Sequence, residues 1–262
     1  MDKVKITARN VVKVYPSTNG DITAVDDFSL EVKEGEFVCI VGPSGCGKST
    51  FLRILAGLIP LSSGHIKIAS GDDPDKPLNS MVFQEYAIYP WKKVIDNVAF
   101  GLQMRGVPKA ERHAIAMEWL DRVGLRKFAN YYPRQLSGGM KQRVSIARAL
   151  ALNPEVLLMD EPLGALDAQT RMVMQDELMR IWETQRKTVV YITHSLDEAI
   201  LLGDRVIIMT SHPGKLKQTF DITIPRPRTL QTMATPEFAA LKGRVWEALQ
   251  DEVTKALKEQ YE

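Results

Sequence analysis

The string Gly42-Pro43-Ser44-Gly45-Cys46-Gly47-Lys48-Ser49 has residue types and a spacing suited to holding a polyphosphate. It fits G-x-x-x-x-G-K-[ST], the form of a phosphate loop. Gly42, Gly45 and Gly47 let the backbone wrap an anion and turn its N–H groups inward, and a helix expected from about Lys48 adds its positive end. Lys48 is placed to reach the β- and γ-phosphates of a nucleotide, and the Ser49 hydroxyl to ligate Mg²⁺. Pro43, Ser44 and Cys46 complete the loop and Thr50 follows it. Far along the chain, four apolar residues, Val156–Met159, lead into Asp160 and Glu161. Carboxylates at the C-terminal end of a buried strand suit a magnesium shell (Asp160) and a base that orients or deprotonates water (Glu161). Between these two sites, Ser137, Gly138 and Gly139 open a helix expected to run to about Leu152, which makes a second anion-binding terminus.

These groups need elements that hold them. The continuous apolar run Phe37–Val41 stops at Gly42 and reads as a buried parallel strand. Alternation at Val4, Ile6 and Ala8, and at Phe28, Leu30 and Val32, predicts half-buried strands. A further strand is expected around His65–Ile68, and the Asp- and Pro-rich stretch 70–79 is expected to be a surface loop. From Pro90 to about Leu152 the period is helical, with Ala110, Ala114, Met117, Leu120 and Val123 on one face. Strands at Val156–Met159, Thr188–Thr193 and Arg205–Met209 then alternate with helices at Ala168–Thr184 and Leu196–Leu202, the pattern of a parallel sheet covered by helices. Ile224–Arg228 (IPRPR) reads as a linker to an amphipathic C-terminal helix lined by Phe238, Leu241, Val245, Leu249, Val253 and Leu257.

With Leu136-Ser137-Gly138-Gly139-Met140-Lys141-Gln142-Arg143 the chain resembles the ATP-binding-cassette (ABC) ATPases, whose signature sequence has this form. The resemblance spans Tyr15 to about Arg228. It implies an α/β P-loop NTPase (RecA-like) core with a parallel sheet, an antiparallel β subdomain and an inserted α-helical subdomain. The expected division is 1–86 for the first part of the core with the phosphate loop, and 87–152 for the helical subdomain with the signature. The second part of the core is expected at 153–224, with the linker and C-terminal helix at 225–262.

Residue by residue, the resemblance implies that Tyr15 stacks on adenine and that Gln84 touches Mg²⁺ and the attacking water. It also implies that Asp167 lies in a loop crossing a dimer interface and that His194 contacts the γ-phosphate. The signature of one subunit would close over a nucleotide held by another, so a second ATPase subunit, identical or a close paralogue, is an implied partner. Tyr89-Pro90-Trp91, Pro225-Arg226-Pro227-Arg228 and the string Met159–Arg171 resemble the nitrate/sulfonate/taurine importer group, although Leu163 stands where Phe is more usual there. That subgroup implies separate membrane permease subunits and, indirectly, an extracytoplasmic solute-binding protein. The chain would sit on the cytoplasmic side of the inner membrane through its permeases.

Composition bounds the alternatives. Apolar residues are 45% and charged residues 25% of the 262, an ordinary globular balance that excludes disorder and a disulfide scaffold. Lys plus Arg (34) barely exceeds Asp plus Glu (32), so the net charge of +2 gives no general footprint for nucleic acid. The two cysteines, Cys39 and Cys46, fit a reducing compartment. No apolar run reaches the roughly 18 residues of a membrane helix, and the stretch MDKVKITARN has no apolar run that could serve as a signal peptide, so the chain itself is expected to be soluble and cytosolic. DNA-repair relatives carry long heptad insertions and translation-factor relatives two cassettes in one chain; neither feature is present. A soluble assembly ATPase and the energy subunit of an exporter remain as alternatives to an importer.

Overall fold

A computed structural model describes residues 3–18, 20–71, 73 and 75–261, the side chains of 259–261 excepted. Asp72 and Pro74 of the expected loop 70–79, and the chain ends at Met1, Asp2 and Glu262, lie outside the described residues. The chain divides into two compact units, Met1–Ser70 with Gln185–Glu262, and Gly71–Thr184. The segment 87–152 therefore shares a unit with residues on both sides of it.

In the first unit, β1 (Val4–Tyr15) is flanked by β2 (Ile22–Lys33) and, across its other edge, by a shorter strand. β3 is Phe37–Val41, α1 Lys48–Leu55 and β4, that shorter strand, Ser63–Ile68. The sheet β2-β1-β4 is antiparallel throughout. β2 alternates as its sequence predicts, with Phe28, Leu30 and Val32 buried. β3 is buried at all five positions, because it is the interior strand of a parallel ladder.

The second unit contains β5 (Asn79–Val82), α2 (Val94–Val98), α3 (Phe100–Met104), α4 (Lys109–Arg122), α5 (Gly138–Ala151), β6 (Val156–Asp160) and nearly all of α6 (Ala168–Gln185). β5 and β6 pair in parallel, and α2, α4 and α5 pack on one another. The chain then returns to the first unit with β7 (Thr188–Ile192), α7 (Leu196–Leu202), β8 (Arg205–Met209), β9 (Leu216–Asp221) and α8 (Pro236–Tyr261). β3 lies between β7 and β8, parallel to both, and β9 adds to β8 in the antiparallel sense. Parallel and antiparallel sheets covered by helices make this the expected α/β P-loop architecture.

The segment read as a linker is irregular, but it is not a free tether. Arg228, only 4% exposed, donates through Nη1 to the Ile200 (3.1 Å) and Gly203 (2.5 Å) carbonyls and through Nε to that of Ile224 (2.9 Å). A cation among the last carbonyls of α7 satisfies acceptors that the helix leaves unpaired and complements its negative end. Arg226 pairs with Asp204 Oδ1 at 2.9 Å, while Asp204 Oδ2 accepts from the Phe37 N–H at the start of β3 (2.9 Å). Proline punctuation ends the regular structure, and the arginine that follows each proline, Arg226 and Arg228, fastens it.

α8 packs against α7 and buries Phe238, Leu241, Val245 and Leu249, but Leu257 is half exposed, so the apolar stripe outruns its docking surface. Glu252 ties this helix down: its carboxylate accepts from the Ser211 N–H (2.8 Å) and hydroxyl (3.2 Å) and pairs with Lys217 (2.8 Å). Burial pushes the Glu252 carboxyl up, but Lys217 and Ser211 outweigh it and hold the group below its ordinary value of about 4.5. A depressed carboxyl contributes stability that is complete above the unfolded value and is lost as pH falls through the folded one. Glu252→Gln is therefore expected to flatten the acid limb of stability below about pH 5, read from denaturant unfolding at each pH. Parallel acid limbs in the two proteins would show that Glu252 contributes nothing to it.

Candidate active site

The phosphate loop lies between β3 and α1 in the first unit. Gly47 is the N-cap of α1 at φ +103°, with no side-chain cap on the helix. A Cβ there would collide with the Ala24 carbonyl oxygen, so only glycine fits on both counts. The uncapped first turn leaves backbone N–H groups for an anion. Lys48 is 6% exposed; its ammonium donates to the Gly42 (2.8 Å) and Pro43 (2.7 Å) carbonyls, which hold it over the loop. Burial pushes the Cys46 thiol up against the pull of Lys48, so no thiolate competes with a bound phosphate at neutral pH. Ser44 and Gly45 are exposed, and Ser49 and Thr50 are half-buried on the first turn of α1. The same unit carries Tyr15, 37% exposed at the end of β1 with the Lys13 ammonium 5.0 Å from its ring centre, and His194, exposed just after β7.

The second unit carries the remaining sequence-predicted residues. Asp160 ends β6, buried to 1% exposure, and Glu161 follows with φ +46°. A non-glycine residue in the left-handed region carries strain on the order of 1–3 kcal/mol, and such residues concentrate where a side chain must be aimed. Here the result is that Gln84 Nε2 donates to Glu161 Oε2 at 3.4 Å, bringing together two of the predicted catalytic groups. Ser137 caps α5, its Oγ accepting from the Met140 N–H (3.3 Å), with Gly138 and Gly139 in the first turn. Asp167 accepts from the Thr170 N–H (3.0 Å) at the start of α6; that hydrogen bonding holds its carboxyl below the ordinary range.

Ser49 in the first unit and Gln84 and Asp160 in the second each carry an oxygen, the donor type that a hard divalent cation takes. Among the described residues no cluster of three or more His, Cys, Asp or Glu is present. Mg²⁺ ordinarily needs only one or two protein oxygens and takes further ligands from the phosphates it accompanies.

Beside Gln84 a groove of about 630 Å³ is lined by Gln84, Glu85, Tyr86, Ala87, Ile88, Pro90, Pro133, Arg134 and Lys141. Its floor is strapped to the signature helix. Gln142, fully buried, donates to the Phe83 carbonyl (3.4 Å), and Arg148 donates to that of Ala87 (2.7 Å). A Cβ on Gly138 would stand 2.5 Å from the Tyr86 hydroxyl, so that glycine lets the tyrosine approach. Buried Asn97 fixes the next turn: Oδ1 accepts from the Tyr89 N–H (2.7 Å), and Nδ2 donates to the Tyr89 (3.1 Å), Lys92 (3.0 Å) and Lys93 (3.1 Å) carbonyls. Tyr89 packs on Phe100 (4.5 Å between ring centres), whereas Trp91 is 70% exposed. Asn97 and Arg148 were not singled out by their sequence context. Asn97 is the one clue there, an amide beside Val98 in a short helix whose other buried residues, Val94, Ile95 and Val98, are all apolar.

A family model described as "ABC transporter" matches residues 25–164. A taurine import ATP-binding protein of Rhizobium johnstonii is 47% identical over 86% of this chain and 88% of its own length. A nitrate import ATP-binding protein of Synechocystis is 43% identical over 86% and 88%, and a bicarbonate transport ATP-binding protein of the same organism is 45% identical over 91% and 86%. A solved ATP-binding cassette, dimeric in a post-hydrolysis state with ADP and Pi, superposes with a TM-score of 0.76 at 35% identity over 84% of this chain and 100% of that one.

Proposed function

Because this chain belongs to the ABC transporter family of ATPases, we propose that it is the energy-coupling subunit of an importer for a small solute, most simply an anion such as nitrate, a sulfonate or taurine. The observation that carries the catalytic part is the Gln84–Glu161 contact beside a strained Glu161 backbone. The import direction is supported by the names of the taurine and nitrate relatives, and those two and the bicarbonate relative differ in solute but agree on small ones.

In this reading Tyr15 stacks on the adenine of ATP. The loop from Gly42 to Thr50 binds the phosphates through backbone N–H groups, with Lys48 facing the β- and γ-phosphates. Mg²⁺, when bound, neutralises charge on the transferring phosphoryl group; Ser49, Gln84 and Asp160 are the residues that would hold it. Glu161 accepts a proton from water as the new O–P bond forms and the bond to the β-phosphate breaks, releasing ADP and phosphate. His194 donates to the γ-phosphate oxygens, where negative charge must be stabilised. Ser137, Gly138, Gly139 and Asp167 serve the nucleotide of a second ATPase subunit. In this reading the pore belongs to separate permease subunits; no described helix of this chain is long and apolar enough to cross a membrane. The chain then acts on the cytoplasmic face of the membrane, and a solute-binding protein delivers cargo on the other side.

The groove beside Gln84 is the proposed seat for a short cytoplasmic helix of the permease, with exposed Trp91 following Pro90 of its lining. Anchoring aromatics at interfaces are typically worth about 2 kcal/mol or more. Trp91→Ala is expected to weaken assembly with the permease about 30-fold or to uncouple transport from hydrolysis. Its ATP affinity should not change and its melting temperature should change little, since the ring is 70% exposed and its ring contact is with Tyr89, 5.7 Å between centres. Tyr89→Ala should in addition lower the melting temperature, because it removes packing on Phe100. Co-purification with the permease and transport in vesicles test this; normal assembly and transport by both variants would move the docking surface elsewhere.

A further inference from the structure

His194 is exposed, yet the backbone on both sides of it is held by buried groups. Ser195-Leu196-Asp197-Glu198 has the S-x-x-E form of a capping box, in which the glutamate ordinarily reaches back to the N–H of the capping serine. One half of the box is present, since the Glu198 N–H donates to Ser195 Oγ (3.3 Å). The Glu198 carboxylate turns inward: Oε2 accepts from the Tyr191 hydroxyl (2.9 Å) and from the Thr193 hydroxyl (2.8 Å). The Ser195 N–H goes to Thr193 Oγ1 (3.0 Å). One hydroxyl thus bridges across His194, bound to the N–H that follows it and to the carboxylate beneath it. Glu198, Thr193 and Tyr191 are 5%, 2% and 0% exposed. At the other end of the short helix, Arg228 holds the last carbonyls of α7.

Capping a seven-residue helix does not require a buried carboxylate; an exposed one would serve, without the desolvation cost. We infer that Glu198 and Thr193 are positioning residues that fix the backbone carrying His194, so that its imidazole meets the γ-phosphate already oriented. Preset geometry of this kind lowers a barrier because no ordering remains to be done during the reaction. The inference rests on His194 being the γ-phosphate contact.

Thr193→Val, which keeps the shape and removes the hydroxyl, is expected to lower kcat by about 10- to 100-fold with the Kd for MgATP unchanged. Thr193→Ser should restore turnover. In a His194→Ala background, Thr193→Val should cause no further loss, because nothing is left to position; two independent structural defects would instead multiply. Wild-type kcat in Thr193→Val, or multiplying losses in the double variant, overturns the inference. Should Thr193→Val melt below the assay temperature, Glu198→Met, which keeps the length and removes the acceptor, is expected to show the same loss when measured in the same way, and unchanged turnover there overturns it equally. If His194→Ala alone keeps full turnover, the role of His194 itself is wrong. A collapse in His194→Ala beside a normal Thr193→Val removes only the positioning role.

Discussion

Glu161→Gln is expected to lower steady-state ATP turnover about 100-fold or more, the range that follows removal of a general base, and to leave ATP affinity intact. The substitution preserves size and the contact with Gln84, whose Nε2 lies 3.4 Å from Glu161 Oε2. What is lost is the basicity that takes a proton from water. Because the γ-phosphate then persists, the variant should accumulate as an ATP-bound dimer, visible by size-exclusion chromatography and dispersed when ADP replaces ATP. Hydrolysis at the wild-type rate would remove Glu161 from the chemistry. Lys48→Ala should behave differently and weaken nucleotide binding itself, since its ammonium is poised over the loop by the Gly42 and Pro43 carbonyls.

The second large effect is expected in mixed dimers. Suppose one subunit carries Ser137→Arg and the other Lys48→Ala. If the signature of one subunit serves the phosphate loop of the other, both lesions fall on the same site and the second site is whole. Putting both substitutions in one chain, opposite an unaltered partner, damages both sites. The first arrangement should retain substantial single-turnover hydrolysis and the second almost none. Ser137→Arg also removes the cap of α5, where Ser137 Oγ accepts from the Met140 N–H. That structural loss is present equally in both arrangements and cancels in the comparison. Equal hydrolysis in the two would mean that each subunit completes its own site.

Local rules made much of this protein legible from its residues. The phosphate loop could be read because a glycine at φ +103° and a five-residue buried run are constraints that act within a few residues. The same holds for α7 and β8, whose bounds match the expected Leu196–Leu202 and Arg205–Met209, and for Ser137 as a helix cap. Periodicity and capping are properties of consecutive side chains, so they survive without knowledge of the rest of the chain. β5 and β9 were not expected, since Asn79–Val82 and Leu216–Asp221 are short, half-exposed strands whose pairing is set by neighbours rather than by their own pattern. The inward turn of Glu198 was equally hidden, because the S-x-x-E spacing predicts a box and only packing beneath β7 makes the Tyr191 and Thr193 hydroxyls available.

The arginines of IPRPR show the limit best. Sequence determined that regular structure ends there, because proline fixes φ and removes a donor wherever it stands. Only the tertiary structure decided that Arg228 is buried, since its carbonyl partners at Ile200 and Gly203 lie 28 and 25 residues away and converge on it only when α7 is folded against the chain that follows. A buried cation needs several acceptors at once, and no local pattern announces acceptors that the fold alone assembles.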